Sequence, residues 1–130
     1  EPQVFRLSEQ YLIRAEAYAQ KETPDYAKAS ADIAELRKAR YTSGASASLN
    51  KENAMTVIEE ERVKELYMEG FRLQDLKRWN KGFERTPQDQ SLSNGSSLKI
   101  NKDNPLFVWP IPQHELESPD ASIEKNESNK

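Results

Sequence analysis

The sequence contains no cysteine, a single histidine and only 4 glycines among its 130 residues. The absence of cysteine excludes disulfide bonds, thiolate nucleophiles and thiolate-bound metal ions. One histidine, His114, does not provide zinc-ligand spacing, and the few glycines form neither a GxGxxG nor a GKS/T phosphate loop. These absences count against an enzyme, and we expect neither a metal ion nor a cofactor.

Long hydrophobic runs and a strong net charge are missing as well. No apolar stretch approaches the ~20 residues that span a bilayer. The net charge of -3, from 19 basic and 22 acidic residues, argues against a nucleic-acid partner. Hydrophobic residues make up 35% of a chain that is long enough for one domain with a modest core. We therefore expect residues 1–130 to form a single unit.

Helical periodicity dominates the first part of the chain. Two helices are predicted, from about Leu7 to Lys21 with Ser8 as its N-cap and from about Tyr26 to Arg40. They form a helical hairpin over residues 1–41 that fits one tetratricopeptide-like (TPR-like) unit, in which small residues allow close helix packing. The residues at the repeat's offsets are Tyr11, Ala15, Tyr18 and Ala27, and Ala31 and Ala34 continue the small-residue face.

The remainder of the chain combines more helix with irregular segments. A helix pair is predicted over residues 50–80, with Asn50 as a cap for its first helix, which runs from about Glu52 to Glu69 and stops at Gly70. Residues 81–130 are predicted to form loops, an apolar Pro-Ile-Pro segment and an acidic surface tail, without any strand. The predicted fold class is therefore all-α, with TPR-like hairpins and long irregular loops.

Charged residues fall inside the apolar faces of the predicted helices. Clustered carboxylates can perform acid–base chemistry, and Glu65 with Glu69 is the candidate pair for a glycosidase. Each acid, however, has an arginine at helical spacing, as Glu65 has Arg62 three residues earlier. We therefore favour structural ion pairs over catalysis. The residues predicted to form them are Glu16, Arg62, Glu65, Glu69, Arg72 and Asp75.

Three aromatic residues, Tyr41, Trp79 and Trp109, lie outside the predicted helical cores. Sugars present flat C–H faces that stack on aromatic rings, which makes these three the candidate ligand-binding residues. Packing is the alternative for each of them. Trp79 shares a helical face with Leu76, and Trp109 lies in an apolar run rich in proline.

Three motifs follow one another along the chain. The first runs from Arg6 to Ala17. The second, from Ile58 to Trp79, contains E-R-x-x-E-L and E-G-x-R-x-x-D-L-x-R, and the third is Pro110-Ile111-Pro112 followed by Glu115. In this order they resemble the C-terminal part of SusD/RagB-type proteins, the surface lipoproteins that capture nutrients for TonB-dependent transporters. Ser118-Pro119 replaces the Asn-Pro that is usual in the family, so we expect the tail to pack differently.

The resemblance implies an all-α, non-catalytic protein without a cofactor, on the cell-surface face of a Gram-negative outer membrane. It implies a SusC-like TonB-dependent transporter as partner and a polysaccharide or oligosaccharide as ligand. The chain is then expected to be a C-terminal portion, attached to the membrane only through an N-terminal lipid anchor that it lacks. A peptide-capturing RagB-like relative and a helical-repeat interaction module remain alternatives. The charged motifs resemble scaffold, and no binding residue is carried over from the family.

Overall fold

A computed structural model describes residues 6–85, 98–118 and 123–129 of the chain. Helices predominate in these ranges, which confirms the all-α prediction, while the TPR-like character of the hairpin stays a prediction. The helices are α1 Leu7–Gln20, α2 Tyr26–Lys38, α3 Ala54–Glu65, α4 Arg72–Arg78 and α5 Gln113–Leu116; the strands are β1 Phe83–Glu84 and β2 Lys99–Ile100; and 3-10 turns cover Pro105–Phe107 and Glu127–Asn129.

The chain divides into two compact units, Glu1–Gly70 and Phe71–Lys130. The first unit contains α1 to α3, and the second contains α4, α5, both strands and both 3-10 turns. The organisation of residues 1–130 as a single unit stays a prediction.

In the first unit, helices α1, α2 and α3 all pack against one another around a small aliphatic core. Each helix contributes one fully buried large side chain: Leu12, Ile33 and Ile58. Ala15 of α1 and Ala29 of α2 are also fully buried, and their small side chains allow the two backbones to approach closely. The core is therefore built on helical spacing, as the periodicity predicted.

One detail of the predicted hairpin face is wrong. Ala27, placed at an offset of the repeat, and Ala31, expected to continue the small-residue face, are both exposed, and Ala29 takes the close-packing position instead. The difference arises because the neighbouring helices cover a narrower arc of α2 than the small-residue pattern allows.

The helix starts also differ from the sequence prediction. Helix α1 begins directly after Arg6, whose side chain makes no capping bond, so Ser8 is not the N-cap. Asn50 does cap, but it caps the turn that leads into α3: its Oδ1 accepts hydrogen bonds from the backbone N–H groups of Glu52 and Asn53. Because this turn includes Glu52 and Asn53, α3 starts at Ala54 and not at the predicted Glu52.

The predicted helix to Glu69 ends at Glu65, with Leu66 as its C-cap. The backbone then adopts left-handed conformations at Met68 (φ 63°) and Gly70 (φ 84°). Gly70 takes this conformation at little cost, as expected of a C-terminal glycine. The earlier turn at Met68 leaves the side chains of Tyr67 and Met68 largely exposed.

The second unit contains a small sheet that was predicted to be loop. Strands β1 and β2 pair antiparallel, with Phe83 opposite Ile100 and Glu84 opposite Lys99. A Cβ atom on Gly82 would lie 2.2 Å from the carbonyl oxygen of Ile100, so the absence of a side chain at Gly82 allows the two backbone segments to approach each other. Strands of two residues are too short to show an alternating pattern, which is why the sequence predicted none.

Candidate functional site

The buried carboxylate of Glu61 lies at the centre of a charged cluster in the first unit. Its side chain is 4% exposed, and its Oε1 accepts hydrogen bonds from Arg37 Nε at 3.1 Å and Nη2 at 2.8 Å. The Tyr41 hydroxyl lies 3.2 Å from both carboxylate oxygens, and Lys64 Nζ lies 3.5 Å from Oε1. Glu61 therefore fastens α2 and the loop that follows it to α3.

Glu65 forms a second cluster, where the start of α1 and the ends of α2 and α3 meet. Arg40 donates two hydrogen bonds of 2.8 Å to its carboxylate. Arg6 Nη2 lies 3.3 Å from the same carboxylate, donates to the Glu65 carbonyl at 2.6 Å, and pairs with Glu69 at 2.8 Å. The Arg40 guanidinium holds the pKa of Glu65 below its ordinary value. Both carboxylates of the candidate catalytic pair are therefore bound by arginine side chains.

The lowered pKa of Glu65 predicts that Glu65→Gln removes part of the acid sensitivity of the fold. The pKa of Glu65 in the folded chain lies below its unfolded value of about 4.3. The ionised carboxylate therefore stabilises the fold fully above that pH, and this stabilisation is lost as the pH falls through the folded pKa. Urea unfolding from about pH 3 to about pH 7 should show the variant's deficit shrinking towards acid. An equal deficit at every pH would contradict this prediction.

The other residues predicted to form ion pairs are Glu16, Arg62, Arg72 and Asp75. Glu16 is buried in α1, and its Oε1 accepts a hydrogen bond from Gln20 at 3.0 Å. Asp75 is buried in α4 and pairs with Arg78 at 2.9 Å. Arg62 is buried in α3, and Arg72 is the exposed first residue of α4.

Sequence reasoning missed two buried acids, Asp32 and Glu61. Arg14 of α1 donates two hydrogen bonds, of 2.9 and 2.6 Å, to the Asp32 carboxylate of α2. A signal was present, because Asp32 follows Ala29 by three residues and Glu61 follows Ile58 by three, which places both acids on buried helical faces.

The three candidate ligand-binding aromatics have different surroundings. Tyr41, in the first unit, directs its hydroxyl into the ion-pair cluster of Glu61. Trp79, in the second unit, is half-buried, with the Arg78 guanidinium 4.4 Å from its ring centroid. Trp109, also in the second unit, is 77% exposed. Of the three, Trp109 presents the most open aromatic surface, and packing does not account for its position.

Neighbouring side chains around Trp109 alternate between buried and exposed positions. Phe107 is buried, whereas Val108 is 50% exposed next to Trp109. The carbonyl oxygen of Trp109 accepts a hydrogen bond of 2.8 Å from Asn126 Nδ2, so the main chain at the ring is held by the tail. The result is a short apolar surface with a fixed backbone and a free indole face.

The second unit also contains an open groove of about 700 Å³ beside the sheet, lined by residues 80–84 and 99–103. Exposed amide, ammonium and carboxylate groups border it at Asn101, Lys102 and Asp103. The Arg85 guanidinium lies 5.1 Å from the ring centroid of Phe83 in this groove. Hydrogen-bonding groups around a ring suit a ligand rich in hydroxyl groups.

Metal and membrane features are absent from the described part of the chain. Within residues 6–85, 98–118 and 123–129, no group of three or more His, Asp or Glu residues is arranged to hold a metal ion. None of the helices that the structure describes is long and apolar enough to cross a membrane.

Comparison with known proteins adds a family assignment. A model of the SusD family (SusD_RagB) matches residues 1–127, so the match spans both compact units and all three motifs noted in the sequence. No curated protein and no solved structure matches the chain.

Proposed function

The chain belongs to the SusD family, and we propose that it is a non-catalytic, glycan-binding component of an outer-membrane uptake system. A nutrient-binding role associated with the outer membrane is general in this family. The proposal adds a polysaccharide or oligosaccharide as ligand and a SusC-like TonB-dependent transporter as partner. It places the protein on the cell-surface face of a Gram-negative outer membrane, held by an N-terminal lipid anchor.

The exposed indole of Trp109 is the observation that carries the choice of a glycan. A tryptophan with 77% of its surface exposed is costly to leave in water, and its flat face matches the C–H face of a pyranose. The polar groove of residues 80–84 and 99–103 lies in the same unit and offers amide and charged groups for hydroxyls. Stacking and hydrogen bonding together are what sugar recognition requires.

The state of the acidic residues supports a binding protein rather than an enzyme. Glu65 and Glu69, the candidate catalytic pair, are both bound by arginine side chains. Both residues therefore serve the connection between the helix ends.

Trp109→Ala is expected to weaken glycan binding roughly tenfold, because a lost stacking contact of about 1.4 kcal/mol corresponds to that factor. Isothermal titration against a panel of soluble polysaccharides measures the effect. Val108→Ala is the matched control, since it shortens the exposed apolar neighbour and keeps the ring. Unchanged affinity of Trp109→Ala for a glycan that the wild type binds would place the site elsewhere.

The same titration separates the alternatives when oligopeptides are included in the panel. Heat with peptides alone would favour a RagB-like peptide-capturing protein. No heat of binding with either glycans or peptides would favour an interaction module. For such a module, the exposed Tyr67 (74%) and Met68 (86%) that follow α3 provide an apolar contact surface.

A further inference from the structure

Residues 105–112, here called the proline segment, are poor in backbone donors. Pro105, Pro110 and Pro112 each lack an N–H group, and proline restricts the residue before it to extended conformations. Such a segment cannot pair fully within a sheet, yet its carbonyl groups still need donors where they leave water. Backbone N–H groups supply some of these donors, since Val108 donates to the Pro105 carbonyl at 2.9 Å and Glu115 donates to the Pro112 carbonyl at 3.0 Å. Other donors come from side chains of the tail.

Asparagine side chains of the tail supply part of this pairing. Ile111 donates its N–H to Asn129 Oδ1 at 2.9 Å, and Asn129 Nδ2 donates to the Ile111 carbonyl at 2.9 Å. The amide of Asn129 therefore pairs with both backbone groups of Ile111, as a neighbouring strand would. Asn126 Nδ2 adds the bond of 2.8 Å to the Trp109 carbonyl.

Ser128 binds the main chain of residues that precede Trp109. Its hydroxyl donates to the carbonyl of Pro105 at 2.7 Å and also lies within hydrogen-bond reach of the carbonyl of Val108. Hydrogen bonds within the tail connect the same residues, because Asn126 Oδ1 accepts from the Ser128 N–H at 3.0 Å and Asn129 Oδ1 lies 3.4 Å from the Asn126 N–H. Asn126, Ser128 and Asn129 together are called the tail clasp.

We propose that the tail clasp positions Trp109 for ligand binding. Its hydrogen bonds reach the main chain at Val108, Trp109 and Ile111, so the backbone is held before, at and after the residue that carries the ring. The indole itself is too exposed to be oriented by packing, so its direction follows from the backbone that carries it. This inference rests on the proposed function for the ligand, whereas the ordering of Trp109 by the clasp is a property of the free protein.

The first test uses ¹⁵N NMR on the full chain and needs no ligand. In Asn129→Ala, amide hydrogen exchange at Ile111 should become roughly tenfold faster, the factor expected for a lost hydrogen bond. The heteronuclear NOE of the Trp109 indole should fall as its backbone becomes mobile. Asn129→Asp keeps an acceptor for the Ile111 N–H and should restore much of its protection. Glu127→Ala, an exposed tail residue between the clasp residues, should change neither signal.

The second test measures glycan affinity in the same variants. Asn129→Ala should bind roughly tenfold more weakly than wild type and Glu127→Ala should bind equally well, with thermal unfolding of both close to wild type. An unchanged Ile111 exchange rate and Trp109 NOE in Asn129→Ala would overturn the clasp. The positioning role would be refuted if the Trp109 ring became mobile in Asn129→Ala without any change in glycan affinity, while Trp109→Ala bound the glycan more weakly. Failure of the wild type to bind any glycan would refute the proposed function, and the NMR result would still decide the ordering of Trp109.

Discussion

Glu61→Gln is expected to lower the free energy of unfolding by about 3 kcal/mol, since that is the cost of removing one partner from a buried ion pair. Glutamine has nearly the same shape, so the packing of α3 is kept and only the charge is lost. Arg37, whose side chain is 17% exposed, would then lie in a largely buried position without its counter-ion. The Tyr41 hydroxyl and Lys64 would then lie beside a neutral amide in place of the carboxylate, which weakens the connection of α3 to the loop after α2 as well.

Glu35→Gln provides the matched control for this prediction. Glu35 pairs with Lys38 at 2.9 Å, but the two side chains are 51% and 66% exposed. Surface pairs of this kind contribute about 0–1 kcal/mol, so the control should unfold close to wild type. Urea unfolding followed by circular dichroism measures both variants at neutral pH. Equal losses of unfolding free energy in the two variants would show that the burial of Glu61 does not determine how much its ion pair stabilises the fold.

Gly82→Ala is expected to lower stability by about 2 kcal/mol, through overpacking in the second unit. The added Cβ would lie 2.2 Å from the Ile100 carbonyl oxygen and 2.9 Å from the Lys102 backbone nitrogen. Both neighbours are main-chain atoms, so no side-chain rotation relieves the contact and the strands have to separate. Because residues 80–84 and 99–103 also line the groove, the substitution should open or reshape it.

Gly44→Ala separates this steric effect from the backbone cost of losing a glycine. Gly44 has φ 72°, and a Cβ atom there would meet nothing within 4 Å, so the control loses only left-handed backbone freedom, about 1 kcal/mol. Thermal unfolding compares the two variants, and amide exchange at Arg85, which donates to the Leu98 carbonyl at 2.8 Å, reports on the pairing of the strands. Retained protection of Arg85 in Gly82→Ala would mean that the strands absorb the extra atom.

The candidate site was predictable in its residue types but not in its surroundings. Tyr41, Trp79 and Trp109 can all be picked out as aromatics beyond the helical cores. Only the folded chain shows that the Tyr41 hydroxyl is bound to Glu61 while 77% of Trp109 is open to solvent. Exposure depends on which distant segments cover a ring, and that information is not contained in the residues next to it.

The all-α class, the positions of the main helices and the family all follow from the order of residues along the chain. Helical periodicity and motif spacing are local properties, and each depends on residues within a few turns of one another. The pairing of charges and the support of Trp109 required the folded chain. Arg14 and Asp32 lie 18 residues apart, Arg37 and Glu61 lie 24 apart, and Arg6 and Glu65 lie 59 apart. Many arginines and acids offer equivalent pairs at such separations, and the packing of α1, α2 and α3 selects among them by bringing particular helix faces together.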